Sequence, residues 1–190
     1  MFEIERLYLS SRITPHYFTS IINSMQAHAL QNKGDLPSLL EKLNMVISYM
    51  LIESIKEKVR LRDELKFYDN YVILEKQRYS SDIDYRFDIF NIDCNLLISP
   101  LLFENMISNA FKYTLHDGTG YVHITLDQPE SNQLQFICTN NMASNRNTLK
   151  GKGIGLKNLR DRLELCYPKK FELISTETEQ TYTITLILIF

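Results

Sequence analysis

The chain has 190 residues, of which 44% are hydrophobic, so it can bury one core or two small ones and is not disordered. Its net charge of −2 and pI near 6.1 argue against a nucleic-acid-binding surface, which usually carries a basic excess. The three cysteines are widely spaced and lack a C-x-x-C pair, which argues against a disulfide framework or a zinc site and favours a reducing compartment. No signal peptide and no bilayer-length apolar run is present. We therefore expect a cytoplasmic protein, or the soluble part of a longer one.

The N-terminal part of the sequence predicts a helical hairpin. Apolar residues recur at helical spacing up to about residue 30 and again beyond Pro37. Between these stretches, Gly34 suits a helix C-cap and Pro37 suits a first helical turn. Because a lone hairpin cannot cover its apolar stripe, we expect either a four-helix bundle across a dimer or packing of the hairpin on the rest of the same chain.

The rest of the chain predicts an α+β domain. Helical spacing and period-two alternation place a helix at 61–79 and a strand at 85–89. A second helix starts at Ser99-Pro100 and ends before Asp117. The remaining elements are 122–126 and 134–138 (strands), 156–165 (helix), and 171–175 and 181–190 (strands). This order fits a mixed sheet with helices on one face, an α/β sandwich. We predict two domains, 1–56 and 57–190.

A glycine cluster marks the start of the last predicted helix. Gly151, Gly153 and Gly155 lie within five residues and lead directly into LKNLRDRLEL. Free backbone N–H groups and the positive end of a helix both favour anions, so the cluster suits a phosphate. It is neither a Walker P-loop nor a Rossmann fingerprint.

The helix upstream carries two asparagines one turn apart, Asn105 and Asn109. Asn109 lies among apolar residues, where an unpartnered amide costs free energy. Its carbonyl oxygen is a hard ligand of the kind that Mg²⁺ takes together with substrate phosphates, and Lys112 is a point charge one turn further on. The alternative interpretation of Asn105 is a helix cap or a solvated face.

His16 stands after Pro15, which interrupts or starts a helix. A neutral imidazole is a nucleophile, although a lone helical histidine is more often structural.

These segments resemble the LytS-like subclass of bacterial two-component sensor histidine kinases over nearly the whole chain. LYLSSRITPHYFTSIIN resembles the family's L-x-x-Q-I-x-P-H-F-L-F-N, and VRLRDEL and YVILEKQR resemble V-x-L-x-x-E-L and Y-x-x-I-x-x-x-R. The segment from Pro100 to Tyr113 resembles P-x-L-L…E-N-A-I-K-H, and that from Gly151 to Leu163 resembles G-x-G-x-G-L-x-N…R-L.

The resemblance implies an N-terminal dimerisation and phosphotransfer hairpin followed by a GHKL-type ATP-binding domain. It implies His16 as the phosphoacceptor, Asn109 as a ligand of Mg²⁺, and the glycine cluster beside the phosphates of ATP. It also implies a homodimer through the N-terminal helices and phosphotransfer to the receiver domain of a response regulator. Membrane contact is expected only through a region preceding residue 1 in a longer parent protein.

The chain departs from the family at the adenine side of the expected site. Asn140 stands where the family has an aspartate that bonds the adenine amino group, and an asparagine can accept from that amine too. Met142 replaces a glycine, which removes a residue tolerant of close backbone approach, so we expect weakened nucleotide affinity. Ser20 replaces an asparagine one turn after His16. The alternative function is a degenerate kinase that serves as a dimeric scaffold.

Overall fold

The computed structural model describes residues 15–30, 35–79, 82–142 and 154–190. The chain forms two compact units, Met1–Ser80 with Cys94–Leu102 and Ser81–Asp93 with Phe103–Phe190. The predicted division into a phosphotransfer hairpin, 1–56, and an ATP-binding domain, 57–190, is a functional one and stays a prediction.

The described helices and strands follow one another as expected for a mixed α+β protein. The helices are α1 (Pro15–Leu30), α2 (Leu36–Ser48), α3 (Leu61–Tyr79), α4 (Glu104–Tyr113) and α5 (Ile154–Cys166), and α2 runs into a π-helical turn, Tyr49–Glu53. The strands are β1 (Val59–Arg60), β2 (Asp84–Phe90), β3 (Leu97–Ile98), β4 (Tyr121–Glu130), β5 (Gln133–Asn141), β6 (Phe171–Glu177) and β7 (Thr181–Ile189).

In the first unit, α3 packs against both helices of the predicted hairpin. The ring of Tyr71 stacks on Tyr17 of α1 with centroids 5.4 Å apart, and Phe67 stacks on Tyr49 at the end of α2 with centroids 4.7 Å apart. The hairpin thus packs on α3 of the same chain, as the second expectation has it, and the four-helix bundle across a dimer stays a prediction. Large apolar side chains of α2 and the segment after it nonetheless remain exposed, namely Leu40, Met45, Leu51, Ile52 and Ile55.

Local chemistry explains why α2 begins at Leu36. The Asp35 carboxylate accepts a hydrogen bond from the Ser38 N–H at 3.2 Å, and Pro37 occupies the first turn. An aspartate at this position satisfies a backbone donor that has no partner inside the helix, and proline loses nothing there.

The second unit is built on a five-stranded sheet in the order β2-β4-β5-β7-β6, in which β2 and β4 are parallel and the other pairs antiparallel. Every second residue of the three central strands is buried, as in a sheet that is covered on one face. Helix α4 packs on that face, where Phe103 stacks on Phe136 with centroids 4.4 Å apart. The buried strand residues are Val122, Ile124, Leu126, Leu134, Phe136, Cys138, Asn140, Ile184, Leu186 and Leu188.

The predicted fold class, helices followed by an α/β sandwich, is confirmed. One boundary is corrected, because the asparagine helix begins at Glu104 and not at Ser99-Pro100. The segment before it cannot be helical: Leu101 has a φ of +54°, and the Leu102 N–H bonds to the Glu64 side chain. Among the described helices, none has both the length and the apolar character that a bilayer crossing requires.

Candidate nucleotide site

A polar stripe runs along one side of α4. Its residues are spaced three and four apart, so they share one face of the helix, while the other face is buried. The stripe consists of Asn105, Ser108, Asn109 and Lys112. The buried face consists of Met106, Ile107, Ala110 and Phe111. This division explains how asparagines fit into an apolar helix, since they avoid the core and line one accessible side.

The two predicted asparagines are bonded to each other. Asn109 Nδ2 donates to Asn105 Oδ1 at 3.0 Å, which fixes both amides one turn apart. Since the amide nitrogen of Asn109 is directed at Asn105, its carbonyl oxygen is the atom that can act as a ligand. Asn105 is therefore a positioning partner of Asn109 rather than only a helix cap.

Gly155, the one member of the glycine cluster among the described residues, lies beside this asparagine pair. A Cβ atom added at Gly155 would lie 3.4 Å from both Asn105 Oδ1 and Asn109 Nδ2. These residues are 46 to 50 positions apart in the sequence, yet the first turn of α5 lies directly against the two amides. The missing side chain leaves the polar atoms uncovered. Gly151 and Gly153 lie outside the described residues.

The side chains and backbone groups at this site can be compared with what magnesium-bound ATP requires. Amide oxygens are hard, uncharged ligands, and Mg²⁺ commonly takes only one or two protein oxygens beside substrate phosphates and waters. The start of α5 presents backbone N–H groups and the positive end of its helix. The residues present therefore fit a nucleotide with its metal, and Asn109 would hold the metal. That role of Asn109 stays a prediction. Bound Mg²⁺ would neutralise phosphate charge.

Lys112 lies at the exposed end of the stripe. Its ammonium group is 5.0 Å from the centre of the Tyr113 ring, a cation–π distance. The flexible side chain keeps its charge on the same face as Asn105 and Asn109, where a phosphate contact remains a prediction.

Asn140 and Asn141 mark the end of β5. Asn140 is buried, and its Nδ2 donates to the Asn141 carbonyl at 2.8 Å. Asn141 Oδ1 lies 2.7 Å from Thr114 Oγ1 and 3.0 Å from the Tyr121 N–H, while its Nδ2 donates to the Thr119 carbonyl at 2.9 Å. Asn141 therefore ties the loop after α4 to the sheet. Sequence analysis missed this role, although the two adjacent asparagines were a visible signal.

Met142 is buried, and its N–H donates to the Gln180 carbonyl at 2.9 Å. The side chain that replaces the family's glycine is thus part of the core. Its effect on nucleotide affinity stays a prediction, as does the contact of Asn140 with adenine.

His16 is the second residue of α1, and its side chain lies outside what the structure describes. Two nearby residues of α1 have described side chains. Tyr17, the next residue, is buried against Tyr71, and Ser20 lies one helical turn after position 16. The role of His16 as phosphoacceptor stays a prediction.

Comparisons with known proteins show which family this chain resembles. The model of the "Histidine kinase" family matches residues 4–83. The sensor protein LytS of Streptococcus mutans is 26% identical over 191 residues, which cover 93% of this chain and 32% of that protein. The sensor histidine kinase YpdA of Escherichia coli is 22% identical over 84% of this chain and 30% of its own length. The resemblance to LytS-like sensor histidine kinases is confirmed. The chain spans about a third of these two relatives.

Solved structures show the same fold. The histidine kinase domain of a blue-light activated kinase from Erythrobacter litoralis aligns with a TM-score of 0.51 at 14% identity, covering 98% of this chain and 93% of that one. The mycobacterial sensor histidine kinase MprB gives a TM-score of 0.51 at 15% identity, covering 70% of this chain and 95% of that one. The chain, with its helices followed by a five-stranded sheet, accordingly has the fold of histidine kinase catalytic domains.

Proposed function

We propose that the chain is the catalytic region of a two-component sensor histidine kinase, which transfers the γ-phosphoryl group of ATP to His16 and then to an aspartate of a response regulator. The observation that carries this proposal is the position of Gly155 beside Asn105 and Asn109, where an added Cβ atom would lie 3.4 Å from an amide atom of each. It joins two motifs of the kinase resemblance into one polar surface with the chemistry that a magnesium-bound triphosphate requires.

The chain's own residues would contribute positioning and charge, which is most of what phosphoryl transfer asks of a protein. Asn105 orients Asn109, and the first turn of α5 and Lys112 bind phosphate oxygens. The unprotonated ring nitrogen of His16 attacks the γ-phosphorus with its lone pair. The bond from that phosphorus to the bridging oxygen breaks, and ADP leaves with the electron pair. The proton on the other ring nitrogen can then pass to water.

The exposed apolar residues of the first unit support a homodimer. Leu51 and Ile55 are 69% and 64% exposed and stand one turn apart beyond α2. Burying such side chains in a partner removes apolar area from water, worth roughly 25 cal/mol per Å². We place the protein and its response regulator in the cytoplasm, where ATP is available, with any membrane tether outside this chain.

The experiment uses γ-labelled ATP and Mg²⁺ with the purified chain. We expect acid-labile label on the wild type and none on His16→Gln, while both bind a non-hydrolysable ATP analogue with equal affinity by calorimetry. Asn109→Ala should lose both label and affinity. Asn132→Ala, in the exposed turn between β4 and β5, is the matched control and should change neither.

Nucleotide binding without any label would contradict the kinase proposal and favour the degenerate scaffold. The comparisons give that scaffold no support, because the relatives named above carry kinase or sensor names.

A further inference from the structure

A buried ion pair lies where α3 contacts α1. Glu75 is fully buried, and Arg78 Nη1 donates to its two carboxylate oxygens at 2.8 and 3.1 Å. The Arg78 side chain is only 16% exposed. A buried ion pair is often no more stabilising than well-packed apolar residues, so its presence calls for a reason beyond stability.

The same guanidinium reaches the helix that carries His16. Arg78 Nε donates to Ser20 Oγ at 3.2 Å, and the guanidinium carbon lies 5.5 Å from the centre of the Tyr17 ring. A second bond, from Ser24 Oγ to the Gln77 carbonyl at 2.8 Å, fixes the two helices further along. Arg78 therefore contacts the residue next to position 16 and the residue one turn after it.

Position 16 precedes Ser20 by one helical turn, about 6 Å along the axis at the usual rise per residue. A guanidinium is a planar cation with five donors that suits phosphate oxygens. Arg78 donates from Nη1 to the Glu75 carboxylate and from Nε to the Ser20 hydroxyl. Glu75 and helix α1 therefore bind different nitrogens of the same guanidinium. Burial is the largest single influence on the pKa of Arg78 and lowers it, but the interactions with Glu75, Tyr79 and Tyr71 together outweigh burial and raise the pKa, so the cation persists.

The two contacting positions belong to different motifs of the kinase resemblance. Ser20 stands where the family has an asparagine, Arg78 is the arginine of Y-x-x-I-x-x-x-R, and they are 58 residues apart. No carboxylate lies within one turn of His16 in the sequence, and Glu75 is the acid that α3 brings towards this part of α1.

We infer that Arg78, oriented by Glu75, is the positioning residue that holds the turn after His16 and stabilises the negative charge of a phosphoryl group on that histidine. This inference rests on the proposed function, because it takes His16 as the acceptor. It adds the partner in α3 that the sequence around His16 does not show.

The test loads the full chain with phosphoramidate, a phosphoryl donor that needs no nucleotide site, and follows phosphohistidine by ³¹P NMR as a function of pH. The phosphohistidine signal that is present in the wild type and absent from the spectrum of His16→Gln belongs to His16. In Arg78→Gln, we expect the pKa of the phosphoryl group on His16 to rise by about half a unit or more, because a neighbouring cation favours its dianion. Arg78→Lys, which keeps the charge, should move the pKa much less. Arg62→Gln, at an exposed arginine of α3, is the control and should have no effect.

Label from γ-labelled ATP gives the second readout. At saturating ATP, Arg78→Gln should incorporate label about 10-fold more slowly or worse, the factor that one charge-assisted hydrogen bond supplies, with an unchanged KM for ATP. Ser20→Asn, which restores the family's residue, should label at least as fast as the wild type.

The outcomes separate the two proposals. Suppose that phosphoramidate loads His16 with the expected pKa shift in Arg78→Gln, but ATP gives no label. That result would overturn the proposed kinase activity, whereas the proposed role of Arg78 would still hold. An unchanged phosphoryl pKa in Arg78→Gln would overturn the role of Arg78 alone. If Arg78→Gln does not fold, the Ser20→Ala titration decides, because it removes the bond that holds Arg78 against α1. A wild-type phosphoryl pKa in that variant would contradict the inference. Failure to load position 16 at all would overturn both proposals.

Discussion

The two compact units differ in which polar side chains they bury or place at a candidate site. The first unit buries two carboxylates, Glu64 and Glu75, and both accept hydrogen bonds from fixed donors. Among the described residues of the second unit, no carboxylate is buried, and the candidate site is lined by the amides of Asn105 and Asn109. A carboxylate can be buried when fixed partners replace its water, whereas a surface that must receive a polyphosphate is better lined by neutral groups that do not repel it.

Both carboxylate oxygens of Glu64, in the first unit, accept hydrogen bonds. Tyr49 donates to one carboxylate oxygen, and Tyr68 at 2.7 Å and the Leu102 N–H at 3.0 Å donate to the other. The backbone N–H of Leu101 also bonds to it. This carboxylate therefore joins the π-helical turn, α3 and the segment that precedes α4. We interpret it as a structural hub, in contrast to the amides of the candidate site.

The largest expected effect is on stability, from Glu64→Ala. The change leaves two buried phenols and two backbone N–H groups without their acceptor, each at about 1–3 kcal/mol, so the free energy of unfolding should fall by about 3 kcal/mol or more. Urea unfolding followed by circular dichroism measures it. Glu41→Ala, at an exposed position of α2, should change it by less than about 0.5 kcal/mol. A small loss at Glu64 would break the contrast between the units.

Asn109→Asp tests why the site uses amides. The substitution keeps the shape, but it places a negative charge beside the triphosphate and two acceptors face to face where Asn109 now donates to Asn105. We expect the affinity for a magnesium-bound ATP analogue to fall about 10-fold or more, with little loss of stability, because Asn109 is partly exposed. Calorimetric titration measures it, with Asn132→Asp as the control. Tighter binding by the aspartate variant would show that charge neutrality is not what the site requires.

Gly155→Ala gives a smaller change in affinity. The added methyl group would be in van der Waals contact with both amides of the pair, and it would cover polar atoms of the proposed nucleotide site. Analogue affinity should fall about 3-fold to 10-fold, while helix propensity raises stability by about 0.5–1 kcal/mol. Lys157→Ala, at an exposed position of the same helix, should leave affinity within about 2-fold. Unchanged affinity in Gly155→Ala would separate this glycine from the site.

Acidification tests the Glu64 hub without removing it. Burial raises the pKa of Glu64 above its usual value of 4.5, against the hydrogen bonds that lower it. The folded state then holds the proton more tightly, so stability from this group is present below pH 4.5 and is lost as pH rises through the folded pKa. The free energy of unfolding of the wild type minus that of Glu64→Gln should therefore increase as pH falls towards 4.5. A difference that shrinks on acidification would mean that the hydrogen bonds outweigh burial.

The local spacing of apolar residues in the sequence was sufficient to predict most helices and strands. Helix α3 has the predicted bounds, Leu61–Tyr79, and the two central strands β4 and β5 appear where alternation predicted them. Periodicity predicts such elements because it records which face is buried, a property that each segment carries by itself. The motifs were also sufficient to predict the kinase resemblance and the fold that goes with it.

The tertiary structure decided which polar atoms meet. Glu64 and Leu102 are 38 residues apart, and Arg78 and Ser20 are 58 apart, so no local period relates them. The start of α4 moved to Glu104 for the same reason, since a bond to Glu64 holds the preceding segment out of the helix. The sequence by itself determined the elements, the motifs and the likeness to sensor kinases. The proximity of Gly155 to Asn109 and the hydrogen bond of Arg78 with Ser20 depended on tertiary folding. Residues this far apart in the sequence meet only where packing brings them together, and a hydrogen bond needs donor and acceptor within about 3 Å.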